Sequence, residues 1–162
     1  MLSLHKILEM KQRFYFDTSV FGGIYDSEFE EATLILFEKV KLGNIICVYS
    51  DLTETELVNA PEKVRKYFAA LPEQYMEKVI IDDYVIDLAN EYIEAKVVGE
   101  TSFDDCLHIA AATINKVDLL VSWNFKHIVN VYRIRGYNSI NLRMNYISLE
   151  IRSPKEIVEY GH

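Results

Sequence analysis

Short runs of apolar residues alternate along the chain with longer segments whose apolar residues recur every three or four positions. The short runs are apolar on both faces and indicate buried strands, whereas the longer spacing indicates amphipathic helices. The predicted strands span residues 13–16, 45–49, 78–81, 118–122 and 146–149. This alternation predicts an α/β protein, a three-layer α/β/α sandwich around a central, mainly parallel sheet.

Capping residues, glycines and prolines set the predicted helix boundaries. The chain is expected to be helical over residues 27–42, 51–58, 61–70, 82–97, 102–115 and 125–132, with a short turn or helix over 154–158. Gly43 and Gly99 end two of these helices, and Pro61 suits the first position of another. A polar turn is expected at Asp17-Thr18-Ser19, directly after the first strand.

The length of 162 residues suits one domain with one core, and the sequence has no repeat and no Pro-rich or Gly/Ser-rich linker. We therefore predict a domain over residues 13–158, an N-terminal extension over 1–12 and a C-terminal tail over 159–162. No apolar run approaches the roughly 20 residues that cross a bilayer, and no signal peptide is recognisable, so a cytoplasmic protein is expected. Cys47 and Cys106 lie in apolar segments and are predicted to be buried free thiols.

The formal net charge of −8 restricts how the protein could bind nucleic acid. A protein that gripped nucleic acid through its whole surface would be basic. An acidic protein can still cleave RNA if its carboxylates hold metal cations, because the metal then supplies the positive charge that a phosphate needs.

Acidic residues follow the predicted strands at the points where the strands end. Asp17 comes directly after the first strand, and Glu56 lies about one turn into the helix after the second. Asp104 and Asp105 open the alanine-rich helix that leads to the strand at 118–122. Ligands of parallel sheets gather at the carboxyl ends of the strands. Several carboxylates meeting there suit a hard cation such as Mg²⁺ or Mn²⁺.

Each of these acids also has a purely structural interpretation. Ser102-x-x-Asp105 and Thr53-x-x-Glu56 both fit the capping-box pattern of a helix N-terminus, and Asp17 suits a turn. Taken singly the acids favour the structural roles, but together, after successive strands, they favour a site.

His108 lies three residues after Asp105 on the same helix face. Such a histidine could be a ligand or a base. Its neighbours Leu107, Ile109 and Ala110 are apolar, so it is assigned to the edge of the core and left out of the catalytic set.

Four segments resemble the motifs of PIN domains. They are FDTSVF at residues 16–21, TETEL at 53–57, DCLHIAAA at 105–112 and VDLLVS at 117–122. Their order and spacing extend the resemblance over residues 13–149, and the last two motifs are the most specific. Many bacterial and archaeal members of this family resemble the VapC-type toxins of toxin–antitoxin pairs.

The resemblance implies an endonuclease that hydrolyses RNA phosphodiester bonds with Mg²⁺ or Mn²⁺. By position Asp17, Glu56 and Asp105 match the catalytic, metal-binding acids of the family, and Asp104 is an adjacent acid in a supporting role. The resemblance also implies a homodimer and a small antitoxin protein whose tail enters the acidic cleft.

The fourth motif departs from the family pattern at one position. Many members carry an acid shortly after its Ser or Thr, whereas this chain retains Ser122 but has Asn124 at the acidic position. A neutral amide oxygen binds a metal or a water more weakly than a carboxylate does. Ser122 and Asn124 are therefore expected to support the site, and the binding of a second metal ion is left open.

Two other functions are compatible with the same sequence. One is a catalytically weak PIN-like module that binds a metal or a partner protein, which Asn124 favours. The other is a phosphoacceptor signalling domain of receiver type. That domain would need a pair of acids at the first strand, where this chain offers only Asp17.

Overall fold

The computed structural model describes residues 11–96 and 102–160. Its strands are β1 (Gln12–Phe16), β2 (Ile45–Ser50), β3 (Met76–Val79), β4 (Leu119–Val121) and β5 (Ile151–Arg152). Its α-helices are α1 (Thr18–Gly22), α2 (Glu30–Lys41), α3 (Asp51–Leu57), α4 (Glu62–Ala69), α5 (Asp83–Glu94), α6 (Phe103–Ile114), α7 (Val131–Arg143) and α8 (Pro154–Tyr160). None of the helices in this part of the chain is long and apolar enough to cross a membrane.

The strands form one parallel sheet with the order β3-β2-β1-β4-β5. The chain proceeds outward from β1 to β3 and then returns past β1 to build β4 and β5 on the other side. The strand order therefore reverses between β1 and β4. In open parallel sheets, the carboxyl end of such a reversal forms a crevice in which ligands bind.

Alternate residues of the strands face two separate hydrophobic cores. Tyr15, Val48 and Leu120 pack with α5, α6 and α7 on one side of the sheet. Phe14, Phe16, Cys47, Leu119 and Val121 pack with α1, α2, α4 and α8 on the other. The sheet is thus covered on both faces, which confirms the predicted three-layer α/β/α sandwich and explains why its strands are apolar on both faces. Cys47 and Cys106 are buried and free, as expected.

Most predicted elements lie within a few residues of the observed ones. The third strand begins two residues before its predicted position, at Met76. The expected turn at 17–19 is instead the start of α1, because the amide of Val20 donates to the carbonyl of Asp17. Strand β1 already includes Gln12, and α8 continues to Tyr160. Most of the predicted extension, both ends of the chain and Gly99 lie outside the described residues.

The predicted helix at 125–132 is wrong. Residues 125–128 form a turn, and α7 begins only at Val131. Asparagine side chains decide this boundary. Asn124 Oδ1 accepts a hydrogen bond from the His127 amide, and Asn130 Oδ1 accepts from the amides of Tyr132 and Arg133 at the start of α7.

The predicted strand at 146–149 is also wrong, because the last strand is the short β5. The side chain of Asn138 binds both backbone groups of Leu149, accepting from its amide at 2.7 Å and donating to its carbonyl at 3.0 Å. A side chain thus takes the bonds that a neighbouring strand would otherwise make.

Two adjacent glycines after β1 are expected to differ sharply in their tolerance of a side chain. A Cβ on Gly23 would lie 2.7 Å from both Thr33 Oγ1 and Trp123 Nε1, two atoms joined by a hydrogen bond, whereas a Cβ on Gly22 meets nothing within 4 Å. Gly23→Ala is expected to lower the free energy of unfolding by about 1–3 kcal/mol through overpacking. The matched Gly22→Ala should raise it by about 0.4–1 kcal/mol. Urea unfolding measures both, and equal stabilities would contradict the close packing at Gly23.

Candidate active site

The reversal point of the sheet opens onto a cleft of about 330 Å³. Its lining includes all three acids predicted to bind metal, Asp17, Glu56 and Asp105. Thr18 and Asn124 are also part of the lining. Asp17 follows β1, Glu56 lies on α3 and Asp105 on α6, so three separate elements bring one carboxylate each to the cleft.

Asp17 is held by hydroxyl groups from two segments. Its Oδ2 accepts hydrogen bonds from Ser19 Oγ at 2.7 Å and from Ser122 Oγ at 2.8 Å, and the residue is only 5 % exposed. These bonds compensate the desolvation of a carboxylate. They also fix its orientation, with Oδ1 3.8 Å from His108 Nε2.

Glu56 does not cap its helix, so the structural interpretation of this acid is wrong. The cap of α3 is a box between Ser50 and Thr53, in which each side chain accepts a hydrogen bond from the other residue's backbone amide. The carboxylate of Glu56 is engaged in the cleft instead. Its Oε1 accepts from Thr18 Oγ1 at 2.9 Å and lies 2.5 Å from His108 Nε2.

Asp105 combines a capping position with a place in the cleft. Its backbone amide donates to Ser102 Oγ, which caps α6, while its carboxylate belongs to the cleft lining. The neighbouring Asp104 is exposed and lies outside that lining. The two adjacent acids therefore have different surroundings, and Asp105 is the one that faces the other carboxylates.

Ser122 and Asn124 both contact the acids. Ser122 Oγ donates to Asp17 and accepts from the Asn124 amide at 2.9 Å. The side-chain oxygen of Asn124 accepts a hydrogen bond from the His127 amide, and Asn124 Nδ2 lies 3.5 Å from Asp105 Oδ2. Asn124 therefore presents a donor to the acidic cluster, rather than the oxygen that would support a metal.

His108, assigned to the edge of the core, is buried and also contacts two of the acids. It is 1 % exposed, and its Nε2 lies within 4 Å of both Glu56 Oε1 and Asp17 Oδ1. Its Nδ1 lies 2.7 Å from the hydroxyl of the buried Tyr15. The sequence did contain a signal, since His108 follows Asp105 by three positions on one helix face. The apolar neighbours of His108 outweighed that signal.

His108 and Glu56 shift each other's pKa values. Burial lowers the pKa of His108, but the hydrogen bond to Glu56 and the charges of Asp17, Glu56 and Asp105 outweigh it, so the pKa is raised above 6.5. For Glu56, burial raises the pKa. The hydrogen bond and charge of His108 and the hydrogen bond from Thr18 together lower it by more, so the net shift of the Glu56 pKa is downward.

Asp105 shows the opposite behaviour. Its pKa is raised by burial and then by the charge of Asp17, against smaller lowering effects from Ser102, His108 and His127. The negative charges of Asp17 and Asp105 thus repel each other, and the neighbouring groups that favour an ionised Asp105 do not offset this repulsion and the burial completely. A cation bound between them would relieve this repulsion.

The pair of Glu56 and His108 predicts a specific dependence of stability on pH. We expect the difference in free energy of unfolding between wild type and Glu56→Gln to be largest between about pH 4.5 and pH 6.5, the ordinary pKa values of the two groups. The lowered pKa of Glu56 contributes stability above its ordinary value, which is lost as pH falls through the folded pKa. The raised pKa of His108 contributes stability below its ordinary value, which is lost as pH rises through the folded pKa.

Urea unfolding between pH 4 and 9 measures this difference. Glu62→Gln is the matched control, because Glu62 forms an exposed pair with Lys66 on α4 and should give a small, flat difference. A Glu56→Gln difference that does not change with pH would contradict the coupling between Glu56 and His108.

No protein-family model matches the sequence. No curated protein matches it either.

Solved structures resemble the chain in three dimensions at low sequence identity. A chain in the crystal structure of FitAcB from Neisseria gonorrhoeae aligns with a TM-score of 0.57 and 14 % identity, covering 88 % of this chain and 98 % of that one. DNA-bound VapBC from Salmonella typhimurium gives 0.55 and 14 %, with coverages of 90 % and 99 %. VapBC2 from Rickettsia felis, bound to a promoter DNA fragment, gives 0.54 and 12 %, with coverages of 88 % and 98 %. The protein therefore has a VapC-like, PIN-like fold over nearly the whole length of these chains.

Proposed function

We propose that this protein is a divalent-metal-dependent endoribonuclease and the toxin of a toxin–antitoxin pair. The observation that carries the proposal is the convergence of Asp17, Glu56 and Asp105 on one cleft, where the strand order of the sheet reverses. The likeness in fold to chains of VapBC and FitAB supports it, as do the sequence motifs.

The donor set of the cleft suits Mg²⁺ or Mn²⁺ held by few protein ligands. Across residues 11–96 and 102–160, no three metal-binding side chains stand close enough to hold an ion by themselves. Mg²⁺ typically uses only one or two carboxylates and completes its shell with waters and substrate phosphate oxygens. Asp17 and Asp105 fit this role because both line the cleft, where burial and then the charge of Asp17 raise the pKa of Asp105. Glu56, engaged by His108 and Thr18, would hold the metal or its water.

A bound metal ion would activate a water molecule and neutralise charge on the phosphoryl oxygens. The residues of the chain prepare the cleft for this chemistry. Ser19 and Ser122 hold Asp17 in one orientation, and Thr18 and His108 hold Glu56 as an ionised carboxylate that can orient a water or accept its proton. Asn124 faces Asp105 with an amide donor.

The proposed partners are an antitoxin protein and a second copy of the chain. An acidic cleft of this kind is expected to bind a basic segment of the antitoxin, which would then exclude the RNA. Light scattering of the purified chain, alone and with its co-expressed antitoxin, measures both associations.

Cleavage of a mixed RNA pool tests the proposed activity. The purified protein with Mn²⁺ is expected to cut the RNA, and EDTA is expected to stop the reaction. Asp105→Asn should remove the activity, whereas Asp104→Asn, the same change one residue earlier, should reduce it less than tenfold because Asp104 lies outside the cleft. Cleavage that persists in EDTA or in Asp105→Asn would overturn the assignment.

A second candidate function is a PIN-like module that binds a metal or a partner protein without cleaving RNA. The orientation of Asn124 favours it, because its oxygen is occupied and its amide nitrogen faces Asp105. A folded, antitoxin-free protein that binds Mn²⁺ but cuts no RNA would support this function. In that case Asn124→Asp is the substitution expected to introduce activity.

A further inference from the structure

A continuous chain of buried polar side chains extends behind Glu56. Ser50 Oγ lies 2.8 Å from the Tyr15 hydroxyl, which lies 2.7 Å from His108 Nδ1, and His108 Nε2 lies 2.5 Å from Glu56 Oε1. Ser50 and Tyr15 are 0 % exposed and His108 is 1 % exposed. We call these three residues the relay.

The relay gives every polar atom along it a defined partner. An ionised Glu56 can only accept hydrogen bonds, so Nε2 of His108 carries the hydrogen between them. Nδ1 and the Tyr15 hydroxyl then share a second hydrogen bond, and the hydroxyl of Ser50 completes the series. Because each donor has its acceptor, the imidazole ring has one preferred orientation.

The relay joins two neighbouring strands and a helix. Tyr15 belongs to β1, Ser50 ends β2 and caps α3, and His108 lies on α6. Well-packed apolar residues in place of a buried polar pair are often equally stable, so stability alone does not account for this pair. The pair also fixes the geometry of the group at its end. Here that group is Glu56, whose side chain is 32 % exposed and lines the cleft.

We propose that Tyr15 and His108 are positioning residues that hold the carboxylate of Glu56 for the reaction in the cleft. This inference rests on the proposed nuclease function. His108 acts through Glu56, and Tyr15 acts through His108.

Kinetics of the purified chain with RNA and Mn²⁺ test this role. His108→Leu is expected to lower kcat by about 10–100-fold, the usual effect of losing a partner behind a metal-site carboxylate, with KM for RNA changed less than twofold. His108→Gln keeps an N–H donor and is expected to recover part of that loss. A His108→Gln variant as impaired as His108→Leu, with normal folding, would overturn the role of the donor.

Two matched tyrosine variants separate positioning from stability. Tyr15 and Tyr92 are both 0 % exposed and hydrogen-bonded, but Tyr92 on α5 binds Asn141, away from the cleft. Tyr15→Phe and Tyr92→Phe should lower the melting temperature comparably. Only Tyr15→Phe should lower kcat, by about tenfold. Equal effects of the two variants on kcat would overturn the proposal.

Nitrogen-15 NMR of the histidine side chains tests the relay without any cleavage assay. The His108 signals are assigned by their loss in His108→Gln. Tyr15→Phe is expected to shift the Nδ1 resonance and Glu56→Gln the Nε2 resonance, whereas Tyr92→Phe should shift neither. If the wild type cuts no RNA while these shifts occur, the proposed function fails and the relay stands. If Tyr15→Phe leaves His108 unchanged, the relay fails whatever the activity.

Discussion

Asp17→Asn is expected to lower RNA cleavage by more than about 100-fold while the protein remains folded. Replacing a residue that only hydrogen-bonds a metal ligand typically lowers metal affinity or activity by about 10–100-fold, so replacing a direct ligand should lower activity by more. The amide oxygen of Asn can still accept a hydrogen bond from Ser122 or Ser19, which now both donate to Asp17 Oδ2. The substitution also removes the charge of Asp17, which after burial is the next cause of the raised pKa of Asp105. The substitution should therefore reduce the rate of RNA cleavage and leave the folded structure intact.

Initial rates on a labelled RNA, together with circular dichroism and the melting temperature, measure this effect. Asp87→Asn is the matched control, because Asp87 is an exposed acid on α5 and loses the same charge. An Asp17→Asn variant with wild-type rates would remove Asp17 from the site. A variant that loses both activity and its folded structure would indicate that the carboxylate is required for folding.

Mn²⁺ is expected to raise the melting temperature of the wild type by about 5–10 °C at a concentration 100 times its Kd. A ligand at that excess stabilises the folded state by about 2.7 kcal/mol. In a domain of 150–250 residues each kcal/mol corresponds to about 2–4 °C. The physical source is the burial of Asp105 and the charge of Asp17, which together disfavour the ionised Asp105 and which a bound cation would offset.

Asp105→Asn should melt at a higher temperature than the wild type without metal and should lose most of the response to Mn²⁺. The first effect follows because burial and the charge of Asp17 both disfavour the ionised Asp105, so folding is destabilised as pH rises through its ordinary pKa. Differential scanning fluorimetry at pH 7.5 with Mn²⁺ or EDTA measures both effects. A Mn²⁺ response that is equal in Asp105→Asn and wild type would place the metal elsewhere.

The three-layer fold could be predicted from the sequence because its signals are local. Strands β1, β2 and β4 are apolar on both faces, and such strands exist only where helices cover both sides of a sheet. The prediction failed at 125–132 and 146–149, where Asn124, Asn130 and Asn138 bind backbone groups with their side chains. An asparagine can make such bonds in many turns, and its sequence position does not reveal which backbone group it reaches.

The convergence of the acids could also be predicted, because the carboxyl ends of parallel strands share one edge. That rule brings Asp17 and Glu56 together although they are far apart in the sequence. Thr18, which follows Asp17, donates a hydrogen bond to Glu56 across a separation of 38 positions. It did not exclude the capping role of Glu56. The structure did so by showing that Ser50 and Thr53 already cap α3.

The sequence by itself determined the layers and the edge of the sheet on which the acidic residues gather. Each of these follows from periodicity or chain order, which are properties of neighbouring residues. Only the tertiary structure decided that His108 contacts Glu56 and that the Tyr15 hydroxyl contacts the other ring nitrogen of His108. It also decided that Asn124 presents its amide nitrogen to Asp105. The physical reason is that these roles depend on a hydrogen-bond partner from a distant segment, and a side chain of given type becomes a donor, an acceptor or a core residue only when that partner is in place.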